Sequence, residues 1–269
     1  MKRVLRAAVP VALLAVLVAA APVGALPVPS CFGAAATPGH LGTGGDDVIQ
    51  GTTGDDVIIG LGGRDILRGG GGRDRICGGP GNDRIYGGAG GDLLDGGGDN
   101  DRVFGQGGGD GFVLGGDGND LLSPGTGRAN FTGTVEGGAG RDRIVIDAWG
   151  DNDIFGGLGR DTIDFRQSPV AISIDLKWGQ FGGGSGPTLL GYLVAEVEDV
   201  YGSAFDDVIW GNARANRLYG LAGDDLIHGR AGNDYLSGGP GVGDWIEGDD
   251  GFDTCEDPDG FIVMDECEA

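Results

Sequence analysis

Large aliphatic or aromatic residues recur at every ninth position from Ile49 onward: Ile49, Ile58, Leu67, Ile76, Ile85, Leu94, Val103 and Phe112. Their neighbours are free to be charged, as in Arg75-Ile76-Cys77 and Arg84-Ile85-Tyr86. One apolar residue between two polar ones is the alternation of a short strand, its middle side chain facing inward and its flanks outward. Outside the N-terminal segment no stretch shows the three-four spacing of a long amphipathic helix, so the pattern predicts an all-β chain of very short strands. The rest of each nine-residue line is glycine and aspartate. Eight lines, GTGGDDVIQ to GQGGGDGFV, run from Gly42 to Val113 without a slip. The sixth place is aspartate in all of them: Asp47, Asp56, Asp65, Asp74, Asp83, Asp92, Asp101 and Asp110. A ninth line with Asp120 and Leu122 follows, and the one-residue insertion before it is placed at Leu114.

The pattern then loosens. Residues 124–136 carry no repeat, and lines return at Gly137, with Asp142 and Ile144, and at Gly156, with Asp161 and Ile163. A degenerate line with Asp153 lies between them. Residues 165–201 hold two strand-like runs, VAISIDL and GYLVAEVEDV, around a GGGSGP turn. A second regular block starts at Gly202, with Asp207, Asn216, Asp225 and Asp234 at the sixth places. Asn216 keeps an oxygen but loses a charge, which predicts a weaker site. The next line has ten residues and shifts its aspartate to Asp244, and the last puts Cys255 where the aliphatic residue should stand. The chain therefore divides into an export signal (1–25), an N-terminal cap (26–41), a first repeat block (42–123), degenerate repeats (124–164), a β-rich insertion (165–201), a second block (202–256) and a C-terminal cap (257–269).

Composition sharpens this reading. Gly and Pro, 62 and 11 of 269 residues, would mark a disordered chain if they had no period; here the period makes them structural. Acid outweighs base 41 to 18, and nearly all the acid is aspartate, a short carboxylate suited to turns and cation sites. A basic start, an apolar run bracketed by Pro10 and Pro22, and a small-residue end at Ala25 read as a cleaved signal peptide. Its removal takes three cations and moves the formal charge from -23 to -26. That surface repels nucleic acid and anionic lipid, and no later apolar run is long enough to span a bilayer. Export places the four cysteines in an oxidising compartment. They allow three pairings, of which Cys31 with Cys77 and Cys255 with Cys267 suits a rod that holds its ends apart. Lipid attachment at Cys31 is the rival reading.

Glycines at the first, second and fourth places, free to take positive φ, let the backbone curl so that carbonyl oxygens point inward together. The sixth-place carboxylate completes an oxygen ring, which suits calcium better than zinc or copper. This line, G-G-x-G-x-D-x-U-x with U a large apolar residue, resembles the RTX nonapeptide repeat, over most of residues 42–256. The chain is also similar to small secreted calcium-binding proteins of actinobacterial type. The resemblance implies a parallel β-roll, a solenoid with two lines per coil and calcium in the turns between coils. It implies ligation by Asp47, Asp56, Asp65, Asp74, Asp83, Asp92, Asp101, Asp110, Asp120, Asp142, Asp161, Asp207, Asp225 and Asp234, with glycine-turn carbonyls of their own and the adjacent coil. One buried aliphatic residue per line contributes roughly 1.5–3 kcal/mol, against an ordering cost of about 1–2 kcal/mol for each of nine residues. The metal-free array is thus expected to be largely unfolded and calcium to supply the difference.

Catalysis is not expected. The chain has only two histidines, His40 and His228, no H-E-x-x-H, and no nucleophile elbow around Ser185. The alternative is a secreted hydrolase or polysaccharide-modifying enzyme with acid pairs such as Asp224 and Asp225. A further reading is adhesion to a surface polymer through the outward aromatics Tyr86, Trp210, Tyr219 and Trp245.

Overall fold

A computed structural model describes residues 29–125, 132–146, 151–177, 194–241, 243–258, 263–265 and 267. The signal-peptide reading, the GGGSGP turn and Ser185 fall outside them. Among the described residues every regular element is a strand, and no helix is long and apolar enough to cross a membrane.

The period of nine becomes a coil of eighteen. Ile49 pairs with Leu67, Leu67 with Ile85 and Ile85 with Val103 on one wall. Ile58, Ile76 and Leu94 align on the other. Alternate lines therefore feed opposite walls, and every strand lies parallel to its counterpart one coil away. The first wall has eleven strands, from Val48–Gln50 to Thr254–Glu256. The second has seven, from Val57–Ile59 to Val194–Ala195, and then five more in a separate sheet, from Ser173–Asp175 to Val263–Asp265. The eighth-place side chains meet between the walls, and Ile58, Leu67, Ile76, Ile85 and Leu94 are fully buried. This narrow column, one aliphatic residue per strand, is the core. It explains why Arg75, Arg84 and Arg102 sit harmlessly beside it, exposed on the outer face.

One register assignment is corrected. Phe112 is not the core residue of its line; it is 44% exposed, whereas Val113 is buried and pairs with Leu94. The extra residue is therefore Gly111, not Leu114. Asp110 still accepts the bond due to a sixth-place residue, from the Asp92 N–H at 2.9 Å. The additional length must be taken up between the aspartate and the strand, and Gly111 does so. The column favours this outcome, since a valine matches the Leu94 and Val135 rungs better than a phenylalanine ring.

The stretch 165–201 joins the walls themselves. After Thr162–Asp164 the chain lays Ser173–Asp175 against the following strand, Val208–Trp210. It returns at Val194–Ala195 against the preceding strand, Asp151–Gly159. One coil thus serves both halves of the second wall, while the first wall runs on through Ile163 opposite Val200. Phe165, Ile172, Ile174 and Val197 are buried there.

The cysteines pair as Cys31–Cys77 and Cys255–Cys267. Cys77 lies on the outer side of the second wall, so its bridge pins the hairpin Ser30–Cys31/Ala34–Ala35 beside the first coils. The segment behind it closes the wall's open edge: Thr37 N–H donates to Val57 O and Ile59 N–H to His40 O. Cys255 stands in the column opposite Leu236, and Val263–Asp265 adds the last strand beside Trp245–Glu247. Residues 37–41 and 263–265 thus cover edges of the second wall that would otherwise offer unpaired backbone groups.

Candidate metal centre

Each turn between strands follows the first six places of a line. The second- and fourth-place glycines carry the expected left-handed backbone, as at Gly79 (φ 107) and Gly81 (φ 133). The first-place glycines do not. A Cβ on Gly60 would meet Asp65 Oδ2 at 2.2 Å and the Gly78 carbonyl oxygen at 2.6 Å. Glycine is required there because two oxygens occupy the side-chain position, one from its own line and one from the next coil.

The sixth-place aspartates form a continuous ladder. Each donates its backbone N–H to Oδ1 of the aspartate one coil further on: Asp47 to Asp65, Asp56 to Asp74, Asp65 to Asp83, Asp74 to Asp92 and Asp83 to Asp101, all at 2.7–2.8 Å. The bonds continue through Asp120, Asp142 and Asp161 although the coil length changes to 19 and then 22 residues. In the second block Asp225, Asp234, Asp244 and Asp253 accept the same bond. The other oxygen is left over. Oδ2 of Asp65, Asp74, Asp83, Asp92, Asp101, Asp110, Asp120, Asp142, Asp161, Asp225 and Asp234 is buried with no hydrogen-bond partner. A buried carboxylate oxygen left unpaired costs more than a hydrogen bond contributes, so the repetition of this arrangement calls for a cation.

Electrostatics gives the same answer. Burial, opposed by the ladder bond and aided by neighbouring carboxylates, pushes Asp101 up to about 8 and Asp110 and Asp225 to about 7. Asp83, Asp92, Asp142, Asp161 and Asp234 rise to about 6 for the same reasons. A divalent ion beside Oδ2 would remove the penalty. The donor set, carboxylate and main-chain carbonyl oxygen with no nitrogen or sulfur, fits calcium.

Four sixth-place residues differ. Asp47 Oδ2 accepts from Thr43 N–H at 2.6 Å and its hydroxyl at 2.9 Å; Thr52 does the same for Asp56. Ser203 N–H donates to Asp207 Oδ2 at 2.5 Å and its hydroxyl to Oδ1 at 2.8 Å. Asn216 takes Asn212 N–H on Oδ1 and turns its amide to the Glu198 carbonyl at 2.9 Å. Glu198 itself was missed by the spacing. It accepts from Asp161 N–H at 3.0 Å and so fills the sixth-place role in a turn without glycine, where no nine-residue frame marks it. Asp244 and Asp253 were not counted as sites either; the ten-residue line hid the first, and the second is the regular sixth residue of GDDGFDTCE.

Around Glu198 arginines gather. Arg214 pairs with Glu198, Arg160 grips Asp199 at 2.6 and 3.0 Å, Arg230 grips Asp175 at 2.6 and 2.7 Å, and Asp164 receives both Arg143 and Arg166. The outward aromatics stack on their ladder neighbours: Tyr86 on Phe104 at 5.3 Å and Tyr201 on Tyr219 at 4.6 Å. Trp210 tilts against His228, and Trp245 is 43% exposed.

Residues 41–76, 78–112, 130–163, 196–213 and 210–243, together more than half of the chain, match the family described as RTX calcium-binding nonapeptide repeat (4 copies). No curated protein matches the chain.

Proposed function

The chain belongs to the RTX calcium-binding nonapeptide repeat family and is a calcium-binding repeat protein, and from that premise we propose that calcium completes its fold outside the cell. The observation that carries this reading is the row of buried, unpartnered Oδ2 atoms from Asp65 to Asp161 and at Asp225 and Asp234. These carboxylates, with the first-place carbonyl oxygens beside them, are the ligands we assign. The bound ion supplies positive charge between successive coils and so joins them. The column of single aliphatic residues is too thin to offset the ordering of so many glycines.

Export rests on the signal-like segment and on two disulfides, which belong to oxidising compartments. A chain that stays unfolded at low calcium and closes at the 10⁻⁴–10⁻³ M range typical of extracellular modules matches that route. The acidic rod so formed has a structural or surface-interaction role. Circular dichroism and limited proteolysis of the protein, with calcium and after exhaustive EGTA dialysis, test the reading. The expected result is loss of β signal and of protease resistance on chelation; an unchanged, resistant chain overturns it.

A further inference from the structure

The four turns with self-satisfied sixth-place groups share one residue choice. Their second place holds Thr43, Thr52, Ser203 or Asn212, none of which has positive φ. Every turn with an open Oδ2 has a left-handed second residue, even where it is not glycine: Leu61, Gln106, Leu221 and Arg230 stand at φ 81, 73, 84 and 77. Two geometries follow. In the left-handed case the second residue can remain in the inter-coil ladder, as Gly70 does opposite Gly88, and the aspartate keeps a bare oxygen. In the other case the second residue bonds its own line. Its backbone N–H reaches the sixth-place side chain, and its side-chain oxygen takes the N–H two residues on, at Gly45, Gly54, Phe205 and Arg214. Threonine, serine and asparagine favour this local bonding, and β-branched threonine resists positive φ.

Two of these turns open the array. The other two lie in the coil where the second wall divides, next to Glu198. Three carboxylates around that coil have their positive charge already: Arg214 at Glu198, Arg160 at Asp199 and Arg230 at Asp175; Asp207 is held instead by Ser203 and by the Ile172 N–H at 2.8 Å. Arg230 also donates to the Gly211 carbonyl at 2.8 Å, the same first-place carbonyl class that faces open carboxylates elsewhere. A guanidinium is thus built in where the rest of the array offers bare oxygen.

We infer that the second-place residue decides which turns take calcium, and that the chain carries two calcium runs, Asp65 to Asp161 and Asp225 onward, parted by a joint that takes none. The inference rests on the calcium reading above. Because a cation is the coupling element between coils, the joint also separates the two runs energetically, so each loads with its own midpoint.

Calcium-dependent hydrogen exchange read by mass spectrometry on the full disulfide-bonded protein resolves the two runs, and native mass spectrometry counts ions. Asp101→Asn is expected to raise the calcium midpoint of peptides from 60–161 several-fold and leave those from 220–256 unchanged. The combined change Ser203→Gly, Asn212→Gly and Asn216→Asp is expected to add bound ions and bring the two midpoints together. The inference is overturned if Asp101→Asn shifts both runs equally, or if the combined variant, folded by circular dichroism, holds no more calcium than the parent. If neither run of the parent responds to calcium, the calcium reading itself has failed, which is a different result. A combined variant that does not fold leaves the Asp101→Asn comparison to decide.

Discussion

The coils from Gly60 to Asp161 and the coil around Glu198 build the same parallel walls and fill the same aliphatic column, yet they close their turns with opposite chemistry. In the first region the turns present carboxylate oxygens with nothing to meet them. In the second, Glu198, Asp199 and Asp175 meet guanidinium groups and Asp207 meets Ser203, while Asn216, an amide in place of an acid, donates to the Glu198 main-chain carbonyl. The lesson is that the coil geometry does not itself require metal. It requires positive charge or donors at the turns, and the sequence chooses between drawing these from solution and encoding them.

The largest separation between the regions should come from pH in the absence of metal. Without metal, the folded-state values of about 6 to 8 for Asp83, Asp92, Asp101 and Asp110 lie above the unfolded value of 3.8. A raised folded value means the fold holds protons that the open chain releases. That stabilisation is fully present below the unfolded value and is lost as pH rises through about 6 to 8. Protein stripped of calcium with EGTA at neutral pH and then freed of both should therefore have a first run that is compact at pH 4 and open at pH 8, measured by far-UV circular dichroism. With calcium present the pH 8 state should become compact as well, and because protons and calcium compete for the same oxygens the apparent calcium affinity should fall as pH drops through that window. Compaction of the metal-free protein at pH 8 but not at pH 4 would contradict this.

A smaller effect, of the opposite calcium dependence, is expected in the joint. Arg160→Met leaves Asp199 mostly buried without its fork, and breaking a buried pair costs about 3–5 kcal/mol, less where water reaches it. The loss should be the same at moderate and saturating calcium when followed by thermal unfolding, whereas added calcium should partly rescue Asp101→Asn. The smallest effect belongs to the first coil. Thr52→Ala removes the hydroxyl bond to Asp56 but keeps the backbone N–H, a change of about 0.5–1.5 kcal/mol, measurable by chemical denaturation. A much larger loss would mean that Thr52 does more than satisfy the carboxylate.

Most of the repeat was legible because two positions of the line are fixed by burial. The sixth place in most lines carries a short acid whose Oδ1 meets the neighbouring coil, and the eighth fills the column. Both constraints recur every nine residues, so counting finds them. What counting missed depends on partners far along the chain. The shift from Phe112 to Val113 follows from the length Gly111 adds to a coil whose aspartate is held in place by Asp92. Glu198 takes its role from Asp161, 37 residues earlier, across a stretch that obeys no period. The second-place distinction was on the page as Thr43, Thr52, Ser203 and Asn212, but its meaning lies in the sign of one backbone angle, which a residue type biases without fixing. The first-place glycines were expected for their flexibility and are needed for the space their missing Cβ leaves.

The ladder bonds all run the same way, from the N–H of one aspartate to the side chain of the aspartate one coil later. The rod consequently has a direction: each rung offers its donor toward the C-terminal end and its acceptor toward the N-terminal end. Residues 37–41, behind the hairpin held by Cys31–Cys77, and Val263–Asp265, just ahead of Cys267, close the two ends of the second wall, so reduction of the two cystines is expected to loosen these closures and leave open edges on which separate molecules can pair.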